Sequence, residues 1–146
     1  MWHRALLGAA AVTLLAATAR PAGEGPAYVI VVHSTNPSRT IAKRLLSDLF
    51  LKKAARWPGT REAAAPADQL TGSLVRRAFT LDVHGRSVGA VKNYWHQMIF
   101  SGRAVPPPEL ASDARVAEFV RARPGAVGYV APDFPLRDLK VLEVEP

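Results

Sequence analysis

The 146-residue sequence predicts an α/β domain, with one mixed sheet of three to five strands flanked by about four helices. Three observations carry this. AYVIVVH, Ala27 to His33, is an unbroken apolar, β-branched run of the kind found in strands covered on both faces. A polar, turn-rich loop follows it, and then apolar residues at helical spacing, so strand and helix alternate. Near the other end, Pro124-Gly125 stops another helical pattern and opens a second short apolar run, Ala126 to Val130.

Residues 1–19 precede this domain and read as a signal peptide. They hold a basic start (His3, Arg4), an uncharged run from Ala5 to Ala17, and a small-x-small cleavage pattern at Ala17-Thr18-Ala19. That run falls short of the roughly 20 apolar residues a membrane span requires. The expectation is therefore a cleaved leader, a periplasmic or secreted protein that does not span the membrane once cleaved, a flexible segment over 20–26, and one domain over 27–146. No cysteine is present, so the exported chain rests on its apolar core and not on disulfides.

The elements follow in order. After the first strand, STNPSRT (34–40) is rich in turn and cap residues, and Ile41, Leu45, Leu46, Leu49 and Phe50 mark a helix with Ser38 or Thr40 as its N-cap, half of a βαβ unit. A weak strand is expected around Arg61 to Ala65. Helical spacing returns at Ser73 to Phe79 and again from Val88 to Phe100, capped by Ser87 in front and Ser101-Gly102 behind. On the second of these, Val88, Val91, Tyr94 or Trp95, Met98 and Ile99 mark one face. RAVPPPEL is extended because three prolines forbid helix. Ser112 caps a last helix, with Val116, Phe119 and Val120 facing inward. Gly128, inside the strand that follows, marks a bulge or a close backbone approach, and LKVLEV closes the chain as a strand.

The formal net charge is +7, or +6 once Arg4 leaves with residues 1–19, which draws anions without choosing among them. Nucleic acid is the least favoured of these, because the cations are scattered, lack interleaved surface aromatics, and sit behind an export signal. His33, His84 and His96 show no metal-ligand spacing, so no metal or other cofactor is expected. Ser34 with His33 or His84 and Asp82 lacks a nucleophile elbow, so an enzyme is not expected either.

FLKKAARW, Phe50 to Trp57, resembles the F-x-G-K-x-x-x-W phrase of the periplasmic phosphate-binding proteins of ABC transporters, with Lys52 in place of the glycine. VVHSTNPSRTIAKRLLSDLF upstream is similar to the family's strand, Asn-Pro loop and helix leading into that phrase, and YWHQMIFSGRAVPP and VAEFVRARPGAVGYV downstream resemble a group of short, single-lobe relatives ending in a Pro-Gly-Ala-Ile-Gly-Tyr strand. The resemblance implies a single periplasmic-binding-protein-like lobe. It makes Phe50 and Trp57 buried scaffold and leaves Lys52, Lys53 and Arg56 a solvated face.

It also implies an oxyanion held by backbone N–H groups and hydroxyls at helix N-termini, where orphan donors and the helix dipole favour an anion. The family's R-x-D-G-S-G-T phrase falls on Gln69 to Val75, where only Gly72 and Ser73 match. Gln69 replaces the arginine, Thr71 the aspartate and Val75 the threonine. Candidate ligand-binding residues are thus Thr71, Gly72 and Ser73, together with Ser34, Thr35, Asn36, Ser38 and Arg39 in the loop after the first strand. Ser73 as a plain N-cap and 34–39 as an Asn-Pro turn are the structural alternatives. The implied function is a solute-binding-like protein taking phosphate or a similar oxyanion weakly for ABC-type uptake, with a membrane transporter as partner. The alternative is a ligand-free interaction module of an envelope or membrane-receptor complex.

Overall fold

The computed structural model describes residues 25–146; the expected leader, 1–19, and all but the last two residues of the segment 20–26 lie outside them. In chain order the elements are β1 (Val29–Val32), β2 (Thr40–Ala42), α1 (Lys43–Phe50), β3 (Ala65–Pro66), β4 (Asp68–Gln69), α2 (Leu74–His84), α3 (Val88–Phe100), β5 (Glu109–Leu110), α4 (Asp113–Ala122), β6 (Ala126–Val130) and β7 (Lys140–Glu145). The main sheet has five strands in the order β2-β7-β1-β6-β3, and β4 and β5 form a separate two-stranded ladder.

β1 is central, antiparallel to both β6 (Val29 opposite Val130, Val32 opposite Val127) and β7 (Ile30 opposite Leu142). The edge strands β2 and β3 run parallel to β7 and β6. The apolar run of β1 is unbroken because both faces are covered. Ile30 and Val32 join Leu46, Phe50 and Phe79 in the core under α1 and α2. Val31 meets Val116, Ala117 and Val120 of α4 on the other side. Phe79 and Tyr129 stack at 4.0 Å between ring centroids, and Phe50 tilts against Phe79 at 4.7 Å. In β6, Gly128 is a close approach and not a bulge: a Cβ there would sit 2.5 Å from Val116 Cγ1 on α4.

Three expectations are corrected. Neither Ser38 nor Thr40 caps α1. The helix begins at Lys43 behind Ala42, which offers no side-chain cap, because Thr40 to Ala42 are drawn into a parallel ladder with Glu143 to Glu145. The first strand and helix therefore do not start a βαβ unit; β1 has only antiparallel neighbours. The strand expected over 61–65 reduces to an isolated bridge, Arg56 with Ala63, ahead of the two-residue β3. In addition, α2 continues past Phe79 to His84, where Gly85 stops it at φ 62°. On α3, Val91 and Trp95 are buried while Ile99 is exposed. The caps Ser73, Ser87 and Ser112 each accept a backbone N–H three residues on, as the sequence predicts.

In the Phe50-to-Trp57 turn both aromatics are buried, and the Trp57 indole N–H donates to the Gly125 carbonyl at 2.9 Å. Lys52, Lys53 and Arg56 are exposed. The turn is built on apolar anchors, and its cations face water.

Candidate functional site

The two segments singled out for oxyanion binding lie at opposite ends of the main sheet. Ser34 to Arg39 follow the carboxyl end of β1, where Val32 lies beside Val127 and Lys140. Gln69 to Ser73 lie where β6 finishes, since the Gln69 side-chain amide donates to the Tyr129 carbonyl at 2.9 Å. At about 3.3 Å per residue, the stretch from Val127 to Val130 separates them by roughly 10 Å before the loops are counted. Thr71, Gly72 and Ser73 thus stand together at one end and Ser34, Thr35, Asn36 and Ser38 at the other. Arg39 turns away to the β2 edge, its carbonyl accepting from the Glu143 N–H at 3.1 Å.

At the α2 tip, Ser73 caps the helix by accepting the Arg76 N–H at 3.1 Å and donates its own hydroxyl to Gln69 Oε1 at 2.7 Å. The Gln69 amide also donates to Asp113 Oδ1 at 2.7 Å. Gln69, which stands where the resemblance leads one to expect an arginine, is buried and tied on every side. Beneath it, Arg76 is 2% exposed. Its guanidinium donates to the Gln69 carbonyl at 2.6 Å, pairs with Glu109 at 2.9 Å, and lies 3.5 Å from Asp68. The Tyr129 hydroxyl donates to Asp68 and accepts the Gln69 N–H at 3.1 Å. Burial pushes the Asp68 carboxyl above its usual range, against the pull of Arg76 and of the Tyr129 hydroxyl. Burial, then the Asp68 charge, push the Tyr129 phenol well up.

This cluster clasps β4 and β5 to α2, and it spends the polar side chains near the tip on one another. It sets Asp68 and Glu109 against the buried Arg76, while Asp113 is held by the Gln69 amide and the Ala131 N–H. What remains open at the tip is backbone and the exposed Thr71 side chain. Thr71, Gly72 and Leu74 are exposed, and among the described residues the N–H groups of Leu74 and Val75 have no internal partner.

The loop after β1 closes on itself: Asn36 Oδ1 accepts the Ser38 N–H at 2.9 Å, the Asn36 N–H donates to the His33 carbonyl at 3.0 Å, and His33 Nδ1 lies 2.8 Å from the Thr35 hydroxyl. Thr35, Asn36 and Pro37 form one side of a hollow of about 200 Å³ whose other walls are Trp57, Thr60, Glu62 and Pro124. No sequence signal marked those four for a site, because the turn and the Pro-Gly stop that carry them read as connections. A second, more open hollow is lined by Glu118, Arg121, Phe134, Arg137 and Asp138, and its Arg121 and Asp138 pair at 2.7 Å.

His84 is half-buried, its Nδ1 2.8 Å from the Ser47 hydroxyl. Burial, helped by Arg86, Arg76 and Lys53, lowers its pKa to about 4, so it is neutral at physiological pH. Among the described residues no cluster of three or more metal-ligating side chains occurs, and no helix is long and apolar enough to cross a membrane.

The α/β lobe has close counterparts among solved structures. A Clostridium perfringens protein classed as a phosphate ABC transporter substrate-binding protein and solved with bound phosphate superposes with a TM-score of 0.63 at 16% identity, covering 81% of this chain and 44% of that one. An ABC-type phosphate transport receptor from Vibrio cholerae gives 0.64 at 16% identity, covering 81% and 46%. PstS from Borrelia burgdorferi gives 0.58 at 11% identity, covering 82% and 47%. The chain therefore has the fold of one lobe of such binding proteins and spans less than half their length. No protein-family model and no curated protein matches it.

Proposed function

We propose that this protein is an exported, non-enzymatic interaction module: a solute-binding-type lobe that docks on an envelope or membrane protein and does not clamp an oxyanion. The observation that carries the reading is the apolar surface on α2 and α3. Leu74 is 76% exposed and Leu81 lies two turns further along α2, also exposed; Ile99 and Phe100 at the end of α3 are exposed, Phe100 to 94%. We read these side chains, on two helices that pack against each other, as one docking surface, since a contiguous exposed apolar patch marks a partner-binding site. The internal pairing at the α2 tip supports the same reading, since Gln69 stands where an arginine is expected and Arg76, the buried cation beneath it, is committed to Gln69, Glu109 and Asp68.

The test places a photo-reactive benzoylphenylalanine at Phe100, at Leu74 and, as a control, at exposed Glu143 on β7, with crosslinking in intact cells. The reading expects one discrete adduct from the first two positions and none from the third. No adduct from any position, or the same adduct from all three, overturns it.

A second reading keeps a weak oxyanion site at Thr71, Gly72 and Ser73 and an ABC transporter as partner. The open N–H groups of the α2 tip and the phosphate-bound structural neighbour favour it. On that reading the ion is held from one side, stays hydrated, and binds in the millimolar range or weaker. Ser34, Thr35, Asn36, Ser38 and Arg39 would then form a separate site, because the sheet stands between them and the tip.

A further inference from the structure

We propose that the hollow between the loop after β1 and the Trp57-to-Glu62 turn binds a small, neutral, hydroxyl-bearing solute of the monosaccharide or polyol class. This site lies at the other end of the sheet from the α2 tip and does not depend on the docking surface.

The hollow holds about 200 Å³, below the roughly 300 Å³ at which pockets for drug-sized ligands begin. Its frame is rigid. Trp57 is fixed by its indole bond to Gly125, the turn is closed by the Trp57 N–H on the Glu62 carbonyl at 3.1 Å, and Asn36 is 5% exposed. Two polar groups there lack partners among the described residues. Asn36 uses its Oδ1 on the Ser38 N–H and leaves its amide NH2 free, and the Glu62 carboxylate meets no cation. The hydroxyl of Thr60 is already committed to Trp57 O and the Glu62 N–H, and that of Thr35 to His33.

The chemistry of the ligand follows from that pair. A bare oxyanion carries acceptors only, so it would satisfy Asn36 and be drawn by Lys140, but it could donate nothing to Glu62 and would be repelled by its carboxylate. An ammonium carries donors only, so it would satisfy Glu62, leave the Asn36 amide unpaired, and face Lys140, whose Nζ sits 2.6 Å from the Asn36 carbonyl. A hydroxyl does both: it donates to Glu62 and accepts from Asn36. The rings of Pro37 and Pro124 and the edge of Trp57 give apolar walls suited to the C–H faces of a cyclic polyol.

The experiment follows the backbone amide resonances of the full chain during titration with D-glucose, D-galactose and myo-inositol, with inorganic phosphate and ethanolamine as comparison probes. Saturable shifts at millimolar concentration, confined to residues 35–36, 57, 59–62 and 125 and produced by at least one hydroxylated probe, are expected. Glu62→Gln, at an exposed position, should weaken that binding about tenfold by removing a charged acceptor. Asn36→Asp, which keeps the Ser38 contact and loses the donor, should weaken it at least as much in protein shown by its amide spectrum to be folded. No saturable shift with any of the three, a response to phosphate or ethanolamine alone, or unchanged affinity in both variants overturns the assignment.

Discussion

Arg76 is the residue whose removal should be felt most. Replacing it with Met keeps the length of the side chain and deletes its charge. The guanidinium has three partners: the Gln69 carbonyl at 2.6 Å, Glu109 at 2.9 Å and Asp68 at 3.5 Å. Breaking a buried ion pair by removing one member costs about 3–5 kcal/mol, because the partner charge stays buried without compensation. Here two features hold the cost near the lower end. Glu109 is 39% exposed and rehydrates, and Asp68 already has a raised pKa, so it can take up a proton instead of remaining a bare carboxylate. Nothing is lost at Arg76 Nε, which is buried without a partner. The expected loss is therefore about 3 kcal/mol at neutral pH, or roughly 12 °C in Tm for a domain of this size.

Asp68→Asn in the same chain should return at least half of that loss, since it removes the stranded charge and still accepts from Tyr129. A carboxyl whose folded-state pKa is raised stabilises the fold below its unfolded value, and that contribution fades as pH rises through the folded pKa. The Arg76→Met penalty should accordingly shrink toward acid. Urea unfolding followed by circular dichroism measures all three quantities. A loss below about 1 kcal/mol, or a double variant no more stable than the single one, would refute a clasp built on paired charge.

Two further outcomes follow from the same packing. His84 has a folded-state pKa of about 4 against 6.5 for the free side chain, so between these values the unfolded chain binds a proton that the folded chain refuses. Stability should fall as pH drops through that window, and His84→Gln should flatten the Tm-versus-pH profile there; parallel profiles for the two proteins would contradict it. Gly125→Ala would drive a Cβ into the backbone carbonyl of Ala63 and strain the Trp57 bond, whereas the one overlap at Gly128→Ala is with the Val116 side chain, which can shift. Both should destabilise by about 1–3 kcal/mol or more, Gly125→Ala the more severely, and equal or negligible losses in denaturant midpoint would count against the close approach.

Much of the fold is written locally. The runs at Val29 to Val32 and Ala126 to Val130 are strands, and Ser73, Ser87 and Ser112 are caps, because each depends on neighbours within a turn or on simple two-sided burial. Thr40 reads as a cap in sequence because the feature that makes it a strand residue, Glu143 in β7, is about a hundred residues away. Arg76 looks like one more scattered cation in sequence. Its burial is decided by Asp68 and Glu109, which the β4–β5 ladder brings together from distant segments. The candidate residues divide for the same reason: the loop after β1 and the α2 tip both read in sequence as entries to helices, yet the antiparallel pairing of β1 with β6 sends them to opposite ends of the sheet.

The claim most central to this account is that the lobe carries its function on the apolar α2–α3 surface and holds no oxyanion clamp. Calorimetric titration of the purified protein with inorganic phosphate, and with sulfate beside it, addresses this most directly. No saturable heat up to millimolar anion is the predicted result; saturable binding of phosphate in the micromolar range would contradict it.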